Sequence, residues 1–204
     1  VKVAVIGQHF PYTPIANPRY MIPTWSFGIR HEEIQKNVNE ARDNGAEIVV
    51  LLSHNGFDVD QKVAKTVSGI DVILTGHTHD AVPEAIKIGK TLVLSSGSHG
   101  KYLGRVDLKV ENGEVTDYSS TVIPVFADAI EPDPEMKAYI DGVRAPHESE
   151  LNRVLGKTDQ LLYRRGNFNG TWDDLICQGI REERDVEIAL SAGFRWGTKL
   201  LPGQ

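Results

Sequence analysis

The sequence predicts an α/β fold, and three observations carry that prediction. Short β-rich runs recur early in the chain at Val1–Gly7, Glu47–Leu52 and Asp71–Thr75. Between them lie charged segments whose apolar residues return at helical spacing, and helices of that length between strands imply right-handed parallel crossovers. Beyond residue 80 the turns Gly89-Lys90 and Asn112-Gly113 each separate two strand-like runs, the signature of antiparallel pairing.

The elements follow in order. Val1–Gly7 is a buried strand closed by glycine. Residues 8–28 carry Pro11, Pro14, Pro18 and Pro23 among five aromatic residues, which predicts an ordered irregular loop. Ile34, Val38 and Ala41 mark an amphipathic helix that stops at Asn44-Gly45. A second buried strand, Glu47–Leu52, leads into Ser53-His54-Asn55-Gly56. Val59, Val63 and Val67 mark a short helix stopped by Gly69, and the third strand runs straight into Gly76-His77-Thr78-His79-Asp80. Ala85–Ile88 with Thr91–Leu94, and Leu103–Val110 with Val115–Val122, are the antiparallel pairs.

An acidic stretch from Pro124 to Pro134 precedes a helix near Glu135–Val143, and Pro146 makes residues 144–152 a linker. The remainder reads as a strand near Asp159–Tyr163, a helix at Thr171–Ile180 and a strand at Asp185–Leu190. Leu175, Ile176 and Gly179 are the expected packing face of that helix. The implied organisation is a first domain over 1–143, the linker, and a second unit over 153–204.

Composition excludes several classes of function. Of the 204 residues 40% are hydrophobic and 25% charged, a globular mixture. A net charge of −6 argues against binding a nucleic-acid backbone, and no apolar run approaches the roughly 20 residues of a membrane helix. The single cysteine, Cys177, excludes an internal disulfide and a cysteine-based zinc cluster, and reads as a small buried apolar residue. Val1 opens inside a strand, and Leu200–Gln204 ends just past a motif, so the chain is expected to be part of a longer protein.

Three of the seven histidines stand where α/β chemistry gathers. His54 follows one strand, and His77 and His79 follow the next, so local sequence places all three outside strand carboxyl ends. On an extended segment His77 and His79 would point to one face and bind one metal or two adjacent ones. Imidazole suits zinc, manganese or iron, and three histidines fall short of a complete dinuclear shell. Asn55 and Asp80 are the local candidates for fixing the ring tautomers, with Asp80 as readily a loop cap.

Ser-His-Asn-Gly followed by Gly-His-Thr-His-Asp resembles the second half of the calcineurin-like metallophosphoesterases, in the branch that includes the 5′-nucleotidases. The first half of that family's domain supplies Asp-x-His, Gly-Asp and Gly-Asn-His motifs, none of which occurs in this sequence. The segments Gln8–Pro14, Trp25–Gly28, Tyr163–Gly170 and Ala192–Gly197 narrow the likeness to the SoxB thiosulfohydrolases. This resemblance implies a metallophosphoesterase-type sandwich domain, present as its C-terminal part, followed by the start of a 5′-nucleotidase-type α/β domain.

It further implies two divalent metals, manganese with zinc as the alternative, His54 and His77 sharing one and His79 binding the other. The substrate would be a cysteine S-thiosulfonate on the sulfur-carrier protein SoxYZ, in the periplasm. Catalytic residues would lie upstream of Val1, so the isolated chain is expected to be inactive and to bind metal poorly. Arg195 is the expected substrate contact, against a plain salt bridge. Arg164, Arg165 and Asn55 are weaker substrate candidates. Phe194 and Trp196 line the cleft or pack the second unit, and Asn167 and Asn169 cap a helix or touch ligand. His99 is expected as a loop histidine, and His9, His31 and His147 as structural or solvated. A 5′-nucleotidase, or a non-catalytic metal-binding or carrier-docking module, are the competing functions.

Overall fold

The computed structural model describes residues 1–164, 170–191 and 199–204. The chain divides into two compact units, Val1–Glu131 and Pro132–Gln204.

The first unit is built on a five-stranded sheet. Its strands are β1 (Val3–Gln8), β2 (Ile48–Ser53), β3 (Val72–Thr75), β4 (Ile86–Ile88) and β5 (Thr91–Ser95), in the order β1-β2-β3-β5-β4. β1, β2, β3 and β5 are parallel, and only β4 runs against its neighbour. The Gly89-Lys90 hairpin is therefore present, but its second strand is also an inner strand of the parallel sheet. Between β1 and β2 lie a short helix α1 (Thr13–Ala16), a 3-10 turn at Arg19–Met21 and the main helix α2 (His31–Asp43). Helix α3 (Phe57–Thr66) crosses from β2 to β3.

Strand residues alternate between faces, and the two faces of this sheet meet different partners. Val49, Leu51, Ile73 and Val93 pack under Ile34 and Val38 of α2 and Val63 and Val67 of α3 and its C-terminal end. On the other face Val72, Leu92 and Leu94 pack against Val106, Leu108 and Tyr118. Those last three belong to a long hairpin, β6 (Tyr102–Glu111) and β7 (Glu114–Pro124). Its turn has Asn112 and Gly113 both at positive φ, the backbone that a two-residue hairpin requires. The hairpin does not reach across β1, so on that face Val5 is 67% exposed and Leu52 56% exposed.

The second unit holds α4 (Pro134–Arg144), a 3-10 turn at Ala145–His147, α5 (Glu148–Leu151), β8 (Leu162–Tyr163), α6 (Thr171–Arg184) and β9 (Lys199–Leu200). Residues 144–152 are thus mostly helical, because Pro146 occupies the first turn of a new helical segment, where its missing N–H costs nothing. Helix α6 continues one turn past the expected Ile180 and is closed by Asp185 at φ +50°.

The strand expected at Asp185–Leu190 does not form; β8 pairs with β9 instead. Alternating apolar residues signal a half-buried strand but do not name an edge to pair with, and here Ile188 and Leu190 are exposed. The expected packing face of α6 is also different. Leu175 and Gly179 are exposed, Cys177 is half-buried, and the buried residue of the helix is Asp173.

Candidate metal centre

Strand register assembles the site. Gln8, Ser53, Thr75 and Ser95 pair side by side across β1, β2, β3 and β5, so the four strands end on one row. The segments that follow, carrying His9 and Phe10, His54, His77 and His79, and His99, all leave the sheet at that edge. An open cavity of about 420 Å³ lies there against His54, floored by Leu52, Leu74 and Gly76. Larger hollows lie along α2 and at the amino ends of β3 and β5, away from His54, His77 and His79.

The rings meet in two groups. His54 and His77 have centroids 5.3 Å apart at 65°. Phe10 stacks on His77 at 4.2 Å and stands edge-on to His54 at 6.0 Å. His79 pairs instead with His99, at 5.4 Å and 77°. Burial, then the neighbouring His54 and His79, hold the His77 imidazole below its ordinary pKa. It is therefore neutral at pH 7, the form that can ligate a metal.

The backbone of the second histidine loop differs from the extended segment that the spacing suggested. His77 has φ +81° and His79 φ +61°, both left-handed, so the loop is a bend rather than a strand extension. Left-handed backbone is uncommon for a residue with a Cβ and clusters at functional sites. Two glycines allow the loops to touch. A Cβ on Gly76 would stand 3.1 Å from His54 Nδ1, and one on Gly56, itself at φ +101°, 3.0 Å from the Thr78 methyl. The Phe57 amide donates to Thr78 Oγ1 at 3.2 Å, and the Asp80 carbonyl accepts from the Gly97 amide and Ser95 Oγ. Asp80 thus closes the loop through its backbone.

The first histidine loop is held by side chains. Asn55 is 2% exposed; its Nδ2 donates to Asp60 Oδ1 at 2.9 Å, and its Oδ1 accepts from Gln8 Nε2 at 3.2 Å. Ser53 Oγ donates to the same Asp60 oxygen at 2.7 Å. The Asn55 amide is therefore engaged inside the protein, braced around His54.

A metal held about 2.1 Å from one nitrogen of each ring, near the tetrahedral angle, sets two imidazole centroids roughly 5 Å apart. The His54–His77 centroids, 5.3 Å apart, are compatible with that spacing. Among the described residues no group of three His, Cys, Asp or Glu side chains is placed to hold an ion. His79, turned toward His99, does not join that pair.

In the second unit Arg164 donates to Asp173 Oδ1 and Ser191 Oγ at 3.0 and 2.9 Å. It forms a largely buried ion pair with Asp173. The Ser191 hydroxyl, the Gly170 amide and Arg164 hold the Asp173 carboxyl below its ordinary pKa, against the opposing effect of burial. Arg165, Asn167, Asn169, Phe194, Arg195 and Trp196 lie outside the described residues.

Phe10, Gln8 and Asp60 are the site residues that sequence reasoning passed over. One signal was present: Asp60 stands on the same helical stripe as Val63 and Val67, a carboxylate where an apolar residue is expected. Nothing in the sequence pairs Phe10 with His77, 67 positions away.

The chain is similar to proteins of known structure along nearly its whole length. It superposes on the sulfate thiohydrolase SoxB of Thermus thermophilus with a TM-score of 0.92 and 37% identity, covering 99% of this chain and 38% of that one. For a 5′-nucleotidase precursor of the same species the TM-score is 0.78 at 25% identity, with 90% and 40% covered. An uncharacterized metallophosphoesterase of Bacillus subtilis, YunD, is 29% identical over 93% of this chain and 40% of its own length. No protein-family profile matches. The chain spans 34 to 40% of the length of the first curated relatives it matches. Its resemblance is to SoxB, within the 5′-nucleotidase branch of the calcineurin-like metallophosphoesterases, and it shares their mixed α/β fold.

Proposed function

We propose that these residues form part of a dinuclear-metal hydrolase of the SoxB type, which releases sulfate from a cysteine S-thiosulfonate on a sulfur-carrier protein, SoxYZ, in the periplasm. The observation that supports this most directly is the convergence of His54, His77 and His79 on one strand edge in a chain so similar to SoxB. Among the described residues no helix is long and apolar enough to cross a membrane.

His54 and His77 would hold one divalent ion, manganese or zinc, with His79 assigned to the second. Bound there, the ions supply electrostatic stabilisation of the charge that builds on the sulfonate oxygens. The chain's own contribution is orientation. Phe10 covers one face of the His77 ring, and burial favours the neutral form of that ring. Arg195 is assigned to the sulfonate oxygens, which suit a planar guanidinium. Arg164 is committed to Asp173 and Ser191, and Asn55 to Asp60 and Gln8, so both act as braces.

The test uses a manganese-loaded polypeptide of SoxB length that contains these residues. It is offered a carrier cysteine bearing S-thiosulfonate and, separately, a nucleoside monophosphate. Sulfate release without phosphate release is the expected result. Phosphate release with an inert carrier would replace the substrate by a nucleotide. The 204 residues by themselves are expected to release neither, since the family's Asp-x-His, Gly-Asp and Gly-Asn-His motifs do not occur in them.

A further inference from the structure

We propose that Asp60 is the positioning residue of the first histidine loop, its buried carboxylate setting the place of His54 through Ser53 and Asn55. The inference rests on the assignment of His54 as a metal ligand.

Asp60 faces inward from α3 on the stripe that carries Val63 and Val67, and it is 0% exposed. A carboxylate in such a place loses its hydration, a heavy cost unless hydrogen bonds replace it. A leucine would serve the core better. What a carboxylate adds is an acceptor, and Oδ1 takes two donors, Ser53 Oγ at 2.7 Å and Asn55 Nδ2 at 2.9 Å. These two residues flank His54. Asp60 also sits in the first turn of α3, where the helix dipole favours negative charge.

The bracing continues outward. The Asn55 backbone amide donates to Ser53 Oγ at 3.2 Å, closing a small ring of bonds around the histidine. Gln8 Nε2, which donates to Asn55 Oδ1, also reaches the carbonyls of His9 and Gly28. The His54 amide itself donates to the Gln8 carbonyl at 3.0 Å. One carboxylate oxygen therefore ties the end of β2 to the end of β1 and to the segment that carries Phe10, which stacks on His77. The second oxygen, Oδ2, is buried without a hydrogen-bond partner among the described residues, so the donor pair on Oδ1 accounts for the bracing.

The experiment compares Asp60→Leu, which removes the acceptor, with Asp60→Asn, whose side-chain oxygen can still accept both bonds. Thermal unfolding reports the fold, histidine-ring NMR reports the position of His54, and titration of the polypeptide of SoxB length with manganese alone reports binding. Asp60→Leu is expected to shift the His54 ring resonances, leave those of His79 and His99 in place, and weaken manganese binding about ten- to a hundredfold. Asp60→Asn is expected to keep the wild-type His54 resonances.

Should Asp60→Leu fail to fold, Ser53→Ala removes one of the two donors and is expected to move the His54 resonances by a smaller amount. A purely structural role would lower the unfolding temperature and leave the His54 resonances and metal affinity unchanged in the folded protein; that result would overturn the proposal. If the wild-type polypeptide of SoxB length binds no manganese, the ligand assignment fails while the ring resonances still decide the role of Asp60.

Discussion

The two histidine loops stand side by side at the same sheet edge and are held by opposite means. The loop around His54 has a buried polar frame, in which Ser53, Asn55, Asp60 and Gln8 satisfy one another. The loop from Gly76 to Asp80 is anchored through the Asp80 carbonyl, which accepts from the Gly97 amide and Ser95 Oγ, and through the Thr78 hydroxyl, and both of its histidines are left-handed. One loop is stabilised by the bonds of its side chains, the other carries conformational strain that its surroundings hold in place. The difference teaches that neighbouring ligands need not share a source of rigidity. It also means that removing a side chain acts through lost hydrogen bonds in the first loop and through backbone strain in the second.

The largest effect is expected where the distinction disappears. Leu51 is fully buried beneath α2 and α3 in the strand that leads to His54. Leu51→Ala is expected to cost about 2–5 kcal/mol, read as a lowered urea midpoint, and to loosen both loops because both hang from the one sheet. Asn55→Ala separates them. It leaves the buried Asp60 carboxylate short of a donor and Gln8 short of an acceptor, and is expected to cost about 1–3 kcal/mol. Amide hydrogen exchange should rise around His54 more than around His79.

His79→Gly is expected to go the other way. Removing the Cβ from a residue at φ +61° relieves strain and should stabilise the fold by about 1 kcal/mol, seen as a raised melting temperature, while manganese binding falls. A net loss of stability would show that the contacts of the His79 ring, the one with His99 among them, outweigh the relief of strain.

The smallest effect sharpens the comparison with a second braced carboxylate, Asp173. Its pKa lies below the ordinary carboxylate value of 3.8, so the stability it contributes is present above that pH and is lost as pH falls through the folded value. Ser191→Ala removes the leading cause of the depression, raising the folded pKa toward its ordinary value. The acid unfolding midpoint of the second unit should then move to higher pH, measured by the amide signals of α6 between about pH 5 and about pH 2.

Much of this organisation was legible in the residues. The parallel strands, the two hairpins and the position of all three histidines beyond strand ends follow from short-range periodicity and from glycines that punctuate it. Where a segment's partner lies far off, that legibility ends. Thr91–Ser95 reads as one arm of a hairpin, and it is also a neighbour of β3, because only register across the sheet brings Val72 to Leu92. The residues 186–190 alternate as a strand should, yet β8 pairs with Lys199–Leu200.

Residue type and spacing within a few turns of chain thus suffice for the set of chemical groups and for the edge at which they emerge. Tertiary structure alone decided how those groups face one another. It stacked Phe10 on His77, turned His79 toward His99 and buried Asp60 behind His54. Each of these depends on separate elements being packed together, because van der Waals contact and hydrogen bonds act between atoms close in space, whatever their separation along the chain.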